Sequence, residues 1–269
     1  MAKILEAKHV SVVYSIRKGL FSRAEILALN DVDFDVDENA SISIVGESGS
    51  GKTTLGRVLA GVQLPTKGTV LFYGKDVREM SKDEFMNYRR SVQYIPQDPY
   101  SSFNPPFKSM ESILMDVITY YKIADRRRAY SLMSSILKDL QLEPDEVLDK
   151  YPHQLSGGQL QRIAIARALL IRPKVIIADE IVSMLDASLR VDLIDLLKQV
   201  QREYGLSVVF ITHDIALARY FAINGGELVV MHNGRIVERG RTNEVIENPR
   251  DSYTKLLLSS HLEPSFRGG

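Results

Sequence analysis

One eight-residue segment restricts what this chain can fold into more than any other: Gly46-Glu47-Ser48-Gly49-Ser50-Gly51-Lys52-Thr53. It follows an apolar β-rich run at residues 41–45 and opens a helical pattern, the strand–loop–helix context in which a glycine-rich loop of this spacing cradles phosphate. Glycines let successive backbone N–H groups turn toward one point, and the helix N-terminus adds partial positive charge. Lys52 can reach the outer phosphates of a nucleotide, and the Thr53 hydroxyl can ligate magnesium; Thr54, next in the chain, is grouped with the nucleotide-binding residues. A glycine-rich turn with an accidental lysine is the bland alternative, and the flanking strand and helix argue against it.

The rest of the chain has an α/β texture. Short β-rich runs at 41–45, 70–73, 91–95, 175–178 and 207–212 alternate with helical patterns, which predicts strands joined by helical crossovers. Residues 99–172 differ, with helical periodicity at 110–121 and 129–140 and almost no β-branched alternation. An inserted helical lobe is expected there, within a single domain whose core is 1–98 and 173–269. Near the end, residues 227–239 read as a hairpin turned by Asn233-Gly234.

Bulk properties exclude several classes of function. The 269 residues are 45% hydrophobic and 25% charged, which suits one large globular domain. Lysine plus arginine balances aspartate plus glutamate at 34 each, so no global field favours nucleic acid or an acidic membrane surface. The absence of cysteine excludes a disulfide framework, a thiolate zinc site and a cysteine-held iron–sulfur cluster in this sequence. No secretory pattern opens the sequence, and no apolar run approaches the roughly 20 residues that span a bilayer.

Two further segments carry chemistry. Lys174-Val175-Ile176-Ile177-Ala178-Asp179-Glu180 is an apolar run ending in adjacent carboxylates, which puts both acids at the C-terminal end of a buried strand, where ligands gather in open α/β sheets. By itself this could be a strand end and a solvated turn. Beside a phosphate loop, Asp179 reads as the Walker B magnesium residue and Glu180 as the carboxylate that orients or deprotonates water. Leu155-Ser156-Gly157-Gly158-Gln159 precedes a helical pattern at 160–171. It could be a plain helix cap, or a second anion-binding helix end. Two phosphate-type helix ends far apart in one sequence suggest a nucleotide sandwiched between two copies.

Taken together, these segments resemble the ATP-binding cassette (ABC) family over nearly the whole chain. The string LSGGQLQR at 155–162 is highly specific to that family. Tyr94-Ile95-Pro96-Gln97-Asp98 resembles its Q-loop, implying that Gln97 touches magnesium and attacking water. Ser183-Met184-Leu185-Asp186 resembles the D-loop, and Ile211-Thr212-His213-Asp214 the switch loop whose histidine contacts the terminal phosphate. Tyr14 is similar to the adenine-stacking aromatic, with Phe21 as a substitute and plain core packing as the bland reading. The family often has proline after the catalytic glutamate; here Ile181 stands there, which bears on the local turn. The resemblance implies an ATPase using ATP and Mg2+, with a P-loop core of mixed sheet, an antiparallel β subdomain and the inserted α-helical subdomain. It implies catalysis by Glu180, His213 and Gln97, metal binding by Thr53, Gln97 and Asp179, and nucleotide contacts from Ser156, Gly157, Gly158, Gln159 and Asp186.

Within the family, residues 97–105, 16–21 and 247–257 resemble ATPase subunits of oligopeptide and dipeptide importers, whose relatives also import oligosaccharides and nickel. That group implies transmembrane permease subunits, a second cassette with a heterodimer favoured over a homodimer, indirect action with an extracytoplasmic solute-binding protein, no nucleic acid, and a peripheral place on the cytoplasmic face of the cell membrane. The contrasting readings are a non-transport ABC ATPase acting on nucleic acid or the ribosome, which the zero net charge and lack of a long heptad arm disfavour, and a P-loop metabolite kinase, which has no use for LSGGQ.

Overall fold

A computed structural model describes residues 3–17, 23–100, 103 and 107–262. Phe21 and much of the 16–21 and 97–105 segments lie outside the described residues. In chain order the elements are β1 (Lys3–Arg17), β2 (Arg23–Asp37), β3 (Ser41–Val45), α1 (Lys52–Leu59), β4 (Lys67–Phe72), β5 (Lys75–Asp76), α2 (Lys82–Ser91), β6 (Val92–Ile95), α3 (Met110–Tyr120), α4 (Arg126–Asp139), α5 (Pro144–Val147) and α6 (Gly157–Leu169). They continue as β7 (Val175–Asp179), α7 (Ala187–Tyr204), β8 (Ser207–Ile211), α8 (Ile215–Ala222), β9 (Glu227–His232), β10 (Arg235–Arg241), α9 (Thr242–Glu247) and α10 (Ser252–Leu262). The chain divides into two compact units, one from the described residues up to Phe85 and from Ser207 onward, the other Met86–Leu206.

In the first unit, β2, β1, β4 and β5 form an antiparallel sheet in that order. Strand β2 buries Val32, Phe34 and Val36 in alternation with exposed Asp31 and Asp33 and half-buried Asp35 and Asp37, the period-2 pattern of a one-sided sheet. The second set of strands runs β10-β9-β3-β8, with β3 parallel to both β8 and β9 and β10 antiparallel to β9. Strand β3 is short and apolar because both faces are covered. Its one polar core residue, Ser43, donates its hydroxyl to the Ala218 carbonyl of α8 at 2.9 Å, so the small side chain lets helix and strand approach closely. The hairpin β9–β10 turns on Asn233 and Gly234, both at positive φ (48° and 76°), as a two-residue type I′ turn requires.

In the second unit, β6 and β7 pair in parallel, Ile95 opposite Ala178. Of the 99–172 stretch, the described part carries α3, α4, α5 and α6 and no strand. Helix α4 buries one apolar stripe that includes Met133, Ile136 and Leu137, whereas α6 is covered on all sides, with the consecutive run Ile163 to Ala166 buried. Arg162 of α6 ties the two together by donating to the Leu140 carbonyl at 3.1 Å. Helix α2 runs straight into β6, so Ser91, expected to open the strand, is the last helical residue.

Candidate functional site

The phosphate loop leaves the end of β3 and enters α1. Gly51 occupies the N-cap at φ 103°, where a Cβ would lie 2.6 Å from the Ala28 carbonyl oxygen, so only glycine fits both the backbone and the space. A Cβ on Gly46 would collide with the Met231 carbonyl. No side chain caps the α1 N-terminus. Lys52 is 6% exposed and folds its ammonium back onto the Gly46 and Glu47 carbonyls, at 2.7 and 2.9 Å. Ser50 Oγ is buried without a hydrogen-bond partner. An uncapped helix end, a lysine held in the loop and an unsatisfied hydroxyl are the groups a polyphosphate would engage. The loop therefore fits the group expected there. Glu47, Ser48 and Gly49 form the exposed lip, and Thr54, buried one turn on, lies 3.4 Å from the Tyr14 hydroxyl, which donates to Gln63 Oε1 at 2.7 Å. Tyr14 on β1 is thus tied to the phosphate-loop helix through its polar end.

His213 emerges beside this loop by strand pairing, since β8 lies parallel to β3 and the Thr212 N–H donates to the Ile44 carbonyl at 3.0 Å. Its side chain is exposed while its neighbours are fixed: Thr212 Oγ1 accepts from the Asp214 N–H, and Asp214 Oδ1 caps α8 by accepting from Ala216 and Leu217.

The second unit brings the two acids together with the Q-loop residue. Gln97 follows β6 and Asp179 ends the adjacent parallel strand β7, so both sit at strand C-termini. Asp179 is 2% exposed and accepts a 2.6 Å hydrogen bond from the Tyr94 hydroxyl, a short charge-assisted contact that partners a buried carboxylate. Glu180 is 8% exposed with φ 51°, a left-handed backbone that costs a non-glycine residue about 1 kcal/mol and is held only where the surroundings enforce it. Ser183 enforces it here: its N–H and hydroxyl both donate to the Glu180 carbonyl, at 3.0 and 2.8 Å. The turn after Glu180, where Ile181 stands, is closed by these Ser183 contacts, and Ile181 and Val182 are buried. Ser183 Oγ also accepts from Gln97 Nε2 at 3.1 Å. For a divalent ion, no group of three or more His, Cys, Asp or Glu among the described residues forms a cage. Single carboxylates such as Asp179, rather than a cage, suit magnesium that keeps water and phosphate in its shell.

At the signature, Ser156 caps α6. Its Oγ accepts from the Gln159 N–H at 3.2 Å, and Gln159 Oε1 accepts from the Ser156 N–H at 2.9 Å, a reciprocal capping box. The Ser156 hydroxyl proton remains available to donate, since a hydroxyl oxygen can accept while its hydrogen points elsewhere. The D-loop packs against this end, with Leu185 Cδ2 3.8 Å from the Cβ position of Gly157, and Asp186 is the N-cap of α7. Tyr94 and Ser183 stand first in the Q-loop and D-loop strings without an expected role there, and the structure gives both polar contacts to expected site residues, Tyr94 to Asp179 and Ser183 to Gln97 and Glu180.

Residues 29–183 match the family model for ABC transporters. The chain is 38% identical to the oligopeptide transport ATP-binding protein OppF of Lactococcus lactis subsp. lactis, covering 97% of this chain and 81% of that one. It is 39% identical to the dipeptide transport ATP-binding protein DppF of Escherichia coli, covering 96% and 76%. Among solved structures, a dimeric ATP-binding cassette in a post-hydrolysis state, bound to ADP and Pi, superposes with a TM-score of 0.75 at 29% identity, over 88% of this chain and 98% of that one. A strand-borne glycine-rich loop, an Asp-Glu pair ending a parallel strand and a capped SGGQ helix stand in a chain that aligns over nearly its whole length with such proteins: it belongs to the ABC transporter family of ATP-hydrolysing cassettes.

Proposed function

We propose that this chain powers the import of oligopeptides or dipeptides, hydrolysing ATP on behalf of transmembrane permease subunits. The observation that carries this is the near full-length likeness to oligopeptide and dipeptide transport ATP-binding proteins. No helix among the described residues is long and apolar enough to cross a membrane, and in this reading the permease subunits supply the path. The chain works at the cytoplasmic face of the cell membrane, with a second, different cassette as its mate and a solute-binding protein delivering cargo outside. Purified chain reconstituted with its permease partners should hydrolyse ATP faster in the presence of a peptide-loaded binding protein; stimulation by nucleic acid or ribosomes instead would favour the other reading.

In this mechanism the Gly46–Thr54 loop wraps the phosphates, Lys52 swings from its carbonyl partners onto the outer phosphates, and Tyr14 supports the base. Bound Mg2+, when present, neutralises phosphate charge; Thr53, Asp179 and Gln97 are the residues that would hold it. Glu180 accepts the proton of the attacking water, with its carbonyl pinned by Ser183 so that the carboxylate stays directed. His213 contacts the terminal phosphate. Ser156, Gly157 and Gly158 reach the nucleotide held by the other cassette, Gln159 braces their cap, and Asp186 acts at the seam between cassettes.

A further inference from the structure

The segment 247–257, which resembles the corresponding part of oligopeptide and dipeptide importer ATPases, has no part in the proposed mechanism. Its Tyr253 opens helix α10 and is 8% exposed. The hydroxyl oxygen accepts a hydrogen bond from the backbone N–H of Glu47, inside the phosphate loop, at 3.0 Å and across 206 residues of sequence. The ring stacks on His232 with centroids 3.9 Å apart and planes 14° from parallel. His232 ends β9, and two residues on, Gly234 donates its N–H to the Ser50 carbonyl at 3.0 Å. The phosphate loop is therefore gripped from outside at both ends, by Tyr253 at Glu47 and by the hairpin turn at Ser50, and the two grips touch each other through a stacked ring pair.

Tyr253 is itself held in place. Asp251 Oδ1 accepts from the Tyr253 and Thr254 N–H groups at 2.8 and 3.3 Å, capping α10. The Arg250 and Asp251 N–H groups donate to the Glu238 carboxylate of β10 at 2.8 and 3.1 Å. The ring packs in a core cluster with Val45, the last residue of β3, and with Ile215 and Ala218 of α8. Burial pushes the tyrosine pKa up, so the hydroxyl stays neutral. A loop with positive-φ glycines at 46, 49 and 51 has many alternative conformations open to it, and fixing its ends before a ligand arrives lowers the ordering cost of binding.

We propose that Tyr253 is a positioning residue for nucleotide binding: it fixes the near end of the phosphate loop through the Glu47 amide, which makes helix α10 part of the ATP-binding machinery. This rests on the reading of that loop as the nucleotide site. The alternative is a core aromatic whose hydroxyl is merely satisfied, and Tyr253→Phe separates the two because it keeps the stack and the packing. In the full chain, the variant should bind a fluorescent ATP analogue about 3- to 10-fold more weakly, the range for one lost hydrogen bond. KM for ATP should rise by the same factor while kcat stays within about twofold, and the Glu47 amide should exchange faster with deuterium. Wild-type dissociation constant and KM in Tyr253→Phe, whether or not its melting temperature falls, would overturn the proposal provided Lys52→Ala loses binding alongside. If Lys52→Ala also binds like wild type, the phosphate reading of the loop fails and the proposal falls with it.

Discussion

Helices α1 and α6 both begin at a glycine-rich segment, and their N-termini are finished in opposite ways. The α1 end has no side-chain cap; the chain surrounds it with Tyr253, Gly234, a buried Lys52 and a buried unpartnered Ser50 hydroxyl. The α6 end closes on itself through the Ser156–Gln159 capping box, with an exposed serine and Leu185 close to its glycines. A helix end braced but left uncapped is prepared for a ligand that this chain binds on its own. A capped and exposed one keeps its fold without a ligand and can meet one presented by another molecule. In the proposed mechanism the same backbone dipole serves two roles, and the neighbours of each helix end decide which.

The largest expected effect concerns hydrolysis, which needs more than either helix end. Glu180→Gln should slow ATP turnover by roughly 10² to 10⁴ while leaving ATP binding intact, as loss of a general base does; steady-state turnover and analogue binding measured on the same preparation check both halves. Next, Lys52→Ala removes a charge-assisted contact worth about 1.5–3 kcal/mol and should weaken ATP binding about 10- to 150-fold, erasing the ATP-dependent rise in melting temperature. At α6, Ser156→Ala should leave that ATP-dependent rise unchanged in the isolated chain. Its effect should be a loss of about 1 kcal/mol of stability from the missing cap, read by chemical denaturation. If Ser156→Ala weakened ATP binding as much as Lys52→Ala, the contrast between the two helix ends would be lost.

Much of the architecture is legible in the sequence because local pattern and tertiary role agree there. Strands β3, β7 and β8 are short apolar runs buried along their length, and the Asn233-Gly234 turn carries its own backbone requirement. The hairpin of β1 and β2 is harder to read. Its pairing slips at several bulges, with His9 and Asp31 at positive φ, and the outward face of β2 is a row of aspartates, which have low strand propensity. Helix α2 buries only Tyr88 and has no apolar stripe to announce it. The motif strings are recognisable in the sequence because phosphate and magnesium chemistry restricts residue type and spacing. Tyr94 on Asp179 and Tyr253 on Glu47 are not, because each joins residues 85 or more apart in sequence through one hydroxyl.

The central claim is that the α6 end of one cassette completes a nucleotide site begun at the α1 end of another, and its direct test is sedimentation velocity on Glu180→Gln, which retains ATP. At high protein concentration, and again mixed with its partner cassette, ATP should shift the protein from monomer to dimer and ADP should not, since only the terminal phosphate gives the opposing Ser156 something to hold. Adding Ser156→Arg should abolish the dimer without weakening ATP binding to each monomer. A protein that stays monomeric with ATP under both conditions, or a dimer indifferent to Ser156→Arg, would contradict the shared site.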